Sequence, residues 1–416
     1  MKLLSRKSRK RRLHFSLESH KKRWGSIILL AAGMMVMVFG FLAFSVDVGY
    51  IALTKAQLET ASDAGARAAA IELKDGLGEG ATKTPDEAKA AATQAAVDVA
   101  AANRAGDVNS VYADPSRDLR FGQVTYDPGS GTWVKQWGVS PYNMVELTLH
   151  RDQVPTSDST ETGQGDPVSQ SGDHPLPLFF APVIGHRDAS LYTKATSALL
   201  PGNGFRVPAG SEMTMGALPF ALDEDTWLAL LRKDTDPKYG FEDNFRRDPE
   251  TEAVSNTSDG IWECNLYPEG DSSLPPGNRG TVDIGGGNNS TSDLSRQILD
   301  GLNESDLSYY PNNTVPHQVT LNGDTGISAG FKEELEDIRG QSKLIPIFRT
   351  VIGNGDNAMY EIVDWVGVTV VDVKLVGNPK RVMVQPCPFY SQAVLPDYSG
   401  APITQDTYFT SSTLIQ

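Results

Sequence analysis

Cysteine is almost missing from this chain, with two in 416 residues, and histidine is sparse, with six. The histidines are scattered, so a zinc site built from Cys and His is not expected. Basic residues are scarce beyond the start. Ten of the 37 Lys and Arg lie in the first 24 residues, against one of the 52 acids, Glu18. The remainder holds 27 basic and 51 acidic residues, and an exterior that acidic argues against nucleic acid as a partner, because phosphates are met by basic patches. Only one long uncharged apolar run occurs, so no second membrane span is expected. What is abundant is glycine (39) and proline (25), which points to a loop-rich fold.

The apolar run is WGSIILLAAGMMVMVFGFLAFSV, between Arg23 and Asp47. Its length suits a helix crossing a hydrocarbon core. Clustered Lys and Arg stay in the cytoplasm, so residues 1–24 read as a basic cytoplasmic tail, 25–46 as the span, and Asp47 onward as exterior. A cleaved secretory signal would have a much shorter apolar core.

The helix is expected to continue past the membrane, because no proline falls between Asp47 and Leu73 and apolar or small residues recur at helical spacing. Ala61, Gly65 and Ala69 repeat every four residues, and Gly33 and Gly40 share a face within the span. Small side chains at such spacing admit a second helix closely, supplied by a partner or by the chain itself. Thr84, Pro85 and Glu87 form a capping-box start for a second helix, and Gly106 suits its end. Residues 47–106 are thus expected as a helical stalk or the flank of a domain.

Residues 117–200 read as a strand-rich domain. Leu119–Tyr126, Thr132–Trp137, Val145–Leu149 and Leu191–Leu200 alternate as strands do, and 152–173 is a polar stretch read as a mobile loop. The segment from Pro175 to Ile184 is apolar but too short and too proline-broken to be a span. Residues 203–416 read as a second α+β domain, with helices near Asp223–Arg232, Leu294–Leu302 and Ala329–Arg339. Its expected strands are Leu344–Phe348, Ile362–Val376 and Arg381–Gln385. The fold class is α+β: a transmembrane helix extending into a stalk, then a loop-rich mixed extracytoplasmic region.

The stretch from Arg23 to Ala70 resembles the N-terminus of the TadE/TadG-like Flp pilus-assembly proteins. The residues that carry this are Gly25 after Arg23, then Asp47, Gly49 and Tyr50, then Gln57-Leu58, then Ala61-Ser62-Asp63-Ala64-Gly65. Ser62, Gly65 and Arg67 stand where that pattern has alanines. A looser likeness continues through Leu147–Arg151, the Pro-Leu-Phe-Phe-Ala segment and Ala195–Ala198. Processed pilins share a Gly followed, at the fifth mature position, by Glu; after Gly25 that position is Leu30. The resemblance therefore implies a permanently anchored assembly component, not a polymerised pilin. It further implies a single-pass protein of the bacterial inner membrane with a periplasmic bulk, and other pilus-assembly or pseudopilin proteins as partners through the N-terminal helix.

Three classes of function follow. The first is a non-catalytic component of a Tad-type pilus or secretion apparatus, needing no cofactor. The second is a surface adhesin or binding module on a membrane anchor. The third is a tethered hydrolase. Its best motif, Gly326-Ile327-Ser328-Ala329-Gly330, fits a nucleophile elbow, but no apolar strand precedes it and no His follows. Gly285-Gly286-Gly287 lacks the Lys-Ser/Thr of a phosphate loop. Asn322-Gly323-Asp324 and Asn354–Asn357 lack EF-hand spacing, so no metal is expected. Cys264 and Cys387 would both lie outside the cytoplasm, where an even pair is more often a disulfide than two thiols. Such a bond would tie the end of the chain to the start of the second unit.

Overall fold

The computed structural model describes residues 24–78, 80–153, 172–266, 281–285, 290–323, 329–353, 357–377, 380–400 and 408–415. The architecture is α+β, as expected. Helix α1 runs unbroken from Trp24 to Glu72, 49 residues, or about 74 Å at 1.5 Å per residue. Every residue from Ile27 to Val46 is exposed except the partly covered Ala43. Among the described residues α1 is the one helix long and apolar enough to cross a membrane.

From Asp47 onward the same helix becomes part of a packed core. Thr54, Leu58, Ala61, Gly65, Ala66, Ala69 and Leu73 are buried at three- and four-residue intervals. They pack on α2 (Pro85–Ala101) and on a sheet. Helix α2 starts with the full capping box, in which Thr84 and Glu87 each bond the other's backbone or side chain. It presents Ala88, Ala92, Ala96 and Ala100 to α1, so the two helices meet through alanine faces that let their axes come close. A Cβ on Gly65 would lie 2.6 Å from Leu147 Cδ2 and 3.4 Å from the Ala96 carbonyl oxygen. The helix admitted by Ala61, Gly65 and Ala69 is therefore this chain's own α2, and the two helices form the flank of a domain, one of the two arrangements expected. Arg67, the departure on that stretch, is exposed and points away from the packed face.

The sheet beneath comprises β1 (Leu119–Asp127), β2 (Thr132–Trp137), β3 (Met144–Arg151) and, after the short β4 (Leu176–Pro177) and β5 (Asp188–Ala189), β6 (Leu191–Ala198). Its order is β2-β1-β3-β6, closed at the far edge by Thr413–Leu414 from the end of the chain. All its pairings are antiparallel. One face carries Phe121, Val145, Leu147, Leu149 and Ala195 toward the helices. On the other, Val124, Met144, Ala198 and Leu200 pack with Trp133 and Trp137. Buried Asn143 stitches the strands, accepting from Val124 N (2.8 Å) and donating to the carbonyls of Val124 (3.1 Å) and Leu199 (2.9 Å).

The second unit is built on a long antiparallel pair, Ser342–Ile352 with Met359–Lys374. Strands Arg381–Pro386, Val319–Gly323, Cys264–Asn265, Val282–Asp283 and Leu222–Asp223 extend this sheet to seven. Helices Glu224–Leu231 and Thr291–Asp300 pack on one side through Trp227, Leu230, Leu294 and Ile298. The other side buries Phe205, Trp365 and Tyr408, with the first two rings edge-on at 5.0 Å. The expected boundary near residue 200 is not a linker. Strand Gly202–Arg206 follows β6 after three residues, and Leu77, Leu199 and Phe409 form a small shared core. Gly80 lies so close to the backbone of Pro386 and Cys387 that a Cβ there would collide with both. Residues 408–414 thus make contacts with both units, pairing with Phe389–Ser391 and with β6.

The expected disulfide is also corrected: Cys264 and Cys387 are free and buried. Cys264 pairs with Val384 across the ladder, so Cys387 stands three residues further along. That offset is about 10 Å at 3.3 Å per residue, beyond the roughly 7 Å Cα separation a disulfide spans. Cys387 Sγ instead lies 2.9 Å from Ser342 Oγ. Thiol labelling of the unreduced, denatured protein is expected to find two reactive thiols per chain; none would restore the bond.

Glu263 is fully buried. Burial pushes its carboxyl up to about 7, over the opposing effect of bonds from Asn244 N (3.0 Å) and Phe245 N (3.1 Å), with Asp243 and Asp259 nearby adding to the rise. The folded protein therefore holds this proton more tightly than the unfolded chain. Stability from this group is complete below about pH 4.5 and is lost as pH rises toward 7. Glu263→Gln, like the protonated carboxyl, keeps a carbonyl acceptor for one of the two amides, and it abolishes the titration. Relative to the parent it is expected to be stabilised at pH 8 by on the order of 2 kcal/mol, with little change at pH 4.5, in paired thermal melts. An equal effect at both pH values would refute the titration.

Candidate functional site

The resemblance residues gather where α1 leaves its apolar stretch. Asp47 is the first charge after the apolar stretch and is nearly buried. Its carboxylate accepts three successive backbone N–H groups, from Phe179 (2.9 Å), Phe180 (3.0 Å) and Ala181 (2.6 Å). Burial would raise its pKa, but the three amides outweigh this and hold it below the usual carboxylate range. Three amides converge on one carboxylate because the backbone turns there into a 3-10 helix, Ala181–Ile184, closed by Gly185 at φ 96°. One turn along α1, Tyr50 lays its ring 5.0 Å from that of Phe179.

Two turns further, Gln57 Oε1 accepts the Gly106 N–H at 2.8 Å. Gly106 has a φ of +65°, and a Cβ there would lie 2.7 Å from both Thr54 Oγ1 and Leu176 Cδ1. Only glycine suits such a position. Leu58 is fully buried, and its carbonyl accepts from Thr193 Oγ1 of β6 at 3.2 Å. Asp63 does not join this set. It stands half-buried along the edge of α1 beside Lys55 and Glu59, facing β6 residues 191–194 across a cavity of 580 Å³. Gly49 has open space around its Cβ position, as do Gly33 and Gly40. Gly25 sits in the first turn of α1.

A second layer secures the turn that Asp47 binds. Arg151, at the end of β3, is completely buried. It donates to the His174 carbonyl (2.7 Å), to the Ala105 carbonyl and to Asp107 Oδ1 (2.5 Å). Asp107 Oδ2 also lies 3.2 Å from His174 Nε2. Burial works against the Asp107 anion, but the guanidinium dominates and keeps the carboxyl low. Arg151 thus joins three pieces: the connection after α2, the end of β3 and the segment entering β4. Sequence reasoning missed Asp107, His174 and the role of Arg151. The available signal was an arginine directly closing the apolar strand Leu147-Thr148-Leu149. Beside this layer, Arg117 bonds Asp118 (2.5 Å) and Asp173 (3.2 Å), and Gln153 N donates to the Asp173 carbonyl at 3.1 Å. The ends of the polar stretch expected as a loop, 152–173, are therefore clamped together; its residues 154–171 lie outside the described residues.

The chemical candidates fare differently. Residues 324–328, including Ser328, lie outside the described residues, as do Gly286, Gly287 and 354–356. Among the described residues no group of three or more His, Cys, Asp or Glu is placed to hold a metal. His317 Nδ1 meets Tyr408 Oη at 2.9 Å, tying the final strands to the second unit.

The fold and this clasp define a class: an α+β body fused to one long apolar helix, with an acid at the junction satisfied by the body's own amides. Residues 25–72 match a family model described as putative Flp pilus-assembly TadE/G-like. The match ends at Glu72, the last residue of α1. No curated protein and no solved structure matches the chain.

The clasp makes a direct forecast. In Asp47→Ala the amides of Phe179, Phe180 and Ala181 lose their acceptor. Hydrogen exchange at these three positions is expected to quicken on the order of tenfold or more, while the Gly106 amide held by Gln57 changes little. Unchanged exchange at 179–181 would show that the carboxylate does not hold the turn.

Proposed function

We propose that this protein is a non-catalytic, membrane-anchored component of a Tad-type Flp pilus or secretion apparatus. The observation that carries the proposal is the TadE/G-like match lying on α1 itself, with the motif acid Asp47 engaged by the chain's own exterior. In this reading α1 spans the bacterial inner membrane. The ten basic residues before it stay in the cytoplasm and the acidic bulk lies in the periplasm. Leu30 stands where processed pilins have Glu, which supports an anchor that is kept and a subunit that is not polymerised.

The body is fixed at a set angle and height to the span, because Asp47, Tyr50, Gln57 and Leu58 all bind it within about three turns of the helix. The lipid-facing part of α1, including Gly33 and Gly40, stays open to partner helices. Such a body would hold other assembly proteins, through their own helices, at a defined distance above the membrane.

Deletion of the gene in its host tests this. Pilin is expected to be made but surface pili lost, and both should return with the full chain. The protein itself should be absent from sheared pili. Normal piliation in the deletion strain, with loss of surface attachment alone, would favour the adhesin reading.

A further inference from the structure

The segment expected only to be too short for a span has a more specific arrangement. Between β4 and β5, which pair through Leu176–Ala189 and Pro177–Asp188, the chain makes an ordered protruding turn. Leu178 N donates to the Arg187 carbonyl (3.0 Å), Val183 N to Phe180 (3.1 Å), Gly185 N to Pro182 (3.1 Å) and His186 N to Ala181 (3.1 Å). This hydrogen-bonded tip carries four large apolar side chains into solvent. Phe179 is 63% exposed, Phe180 47%, Val183 88% and Ile184 69%. Single exposed apolar side chains are ordinary on a protein surface, but four on one fixed turn are not.

The place of the turn decides what covers it. Its amides are bound by Asp47, the first charge after the span, and it packs against α1. Ala43, one turn earlier on the same side of the helix, is the only partly covered residue between 27 and 46. The tip is therefore at the level where an apolar helix leaves the hydrocarbon, and its exposed side chains continue the exposed apolar surface of the span. An apolar stretch of about ten residues suits an interfacial segment, not a crossing one. His186 and Arg187 follow directly and are exposed, which supplies basic groups beside the apolar ones at headgroup depth in an otherwise acidic exterior.

We propose that Phe179, Phe180, Val183 and Ile184 form a second membrane contact, inserted into the headgroup–acyl boundary of the bilayer that α1 crosses. The occupant is lipid, and the proposal rests on α1 being a span. Insertion of such a wedge reaches about 5–10 Å into the boundary. With α1 it makes a two-point mount, which holds the tilt of the body relative to the bilayer where the span alone would leave it free.

The full chain in phosphatidylethanolamine–phosphatidylglycerol vesicles tests this by site-specific labelling. Three variants each receive an environment-sensitive fluorophore under native conditions, in which buried Cys264 and Cys387 are inaccessible: Ile184→Cys, Val36→Cys within the span, and Tyr309→Cys on the second unit. The expected result is roughly twofold quenching of the Ile184→Cys label by lipids carrying a quencher near the headgroup. The Val36→Cys label should respond to deep quenchers, and the Tyr309→Cys label to neither. If the Ile184→Cys label behaves like Tyr309→Cys while Val36→Cys is quenched, the wedge is wrong and the anchor stands. If Val36→Cys is also unquenched, the anchor itself is wrong. If the Ile184→Cys label becomes shielded only in native membranes containing other proteins, the patch is a protein-docking surface and the lipid proposal fails.

Discussion

A nearly buried carboxylate must find hydrogen-bond donors, because a buried charge without partners is costly. Asp47 finds three, and all come from one turn of the chain's own exterior. This contact links residues more than 130 positions apart. The anchor and the body are thereby fixed to each other at the point where the helix changes surroundings. The Arg151–Asp107–His174 layer behind it keeps the turn in place, so the donors are preorganised and not recruited.

The rest follows from a single helix serving two environments. Its first half is apolar and exposed on nearly every side; its second half has one small, buried face and one polar face. Ala61, Gly65 and Ala69 allow α2 and β3 to approach within contact distance, while Arg67, Lys55 and Glu59 face outward. No break separates the halves, so the body and the apolar stretch share one continuous helix. The connection after α1, through Leu77 and Gly80, carries the same rigidity into the second sheet.

Much of this was legible in sequence because it is local. The capping box at Thr84, the Asp223 cap and the strands Leu119–Asp127 and Thr132–Trp137 follow from short-range rules, and the structure has each of them. What was illegible depends on partners far along the chain. Small residues every four positions specify a close-packed helix but not whose, and the answer was α2. Two cysteines outside the cytoplasm suggest a bond, but the ladder register places them three residues out of step. The return of Thr413–Leu414 to the first sheet has no local signal at all, since two residues carry no period.

The family match and the helix share an endpoint, and there is a physical reason for this. From Asp47 onward the helix is constrained by the body it packs on. Asp47 must lie at the boundary, Tyr50 and Gln57 must reach the body one and three turns on, and the small residues must then recur in register. A change of one position in that spacing rotates the helix by about 100° and turns the small face away from α2. The body has no comparable rule. What the helix asks of it is three amides at Asp47 and a flat face against the small residues.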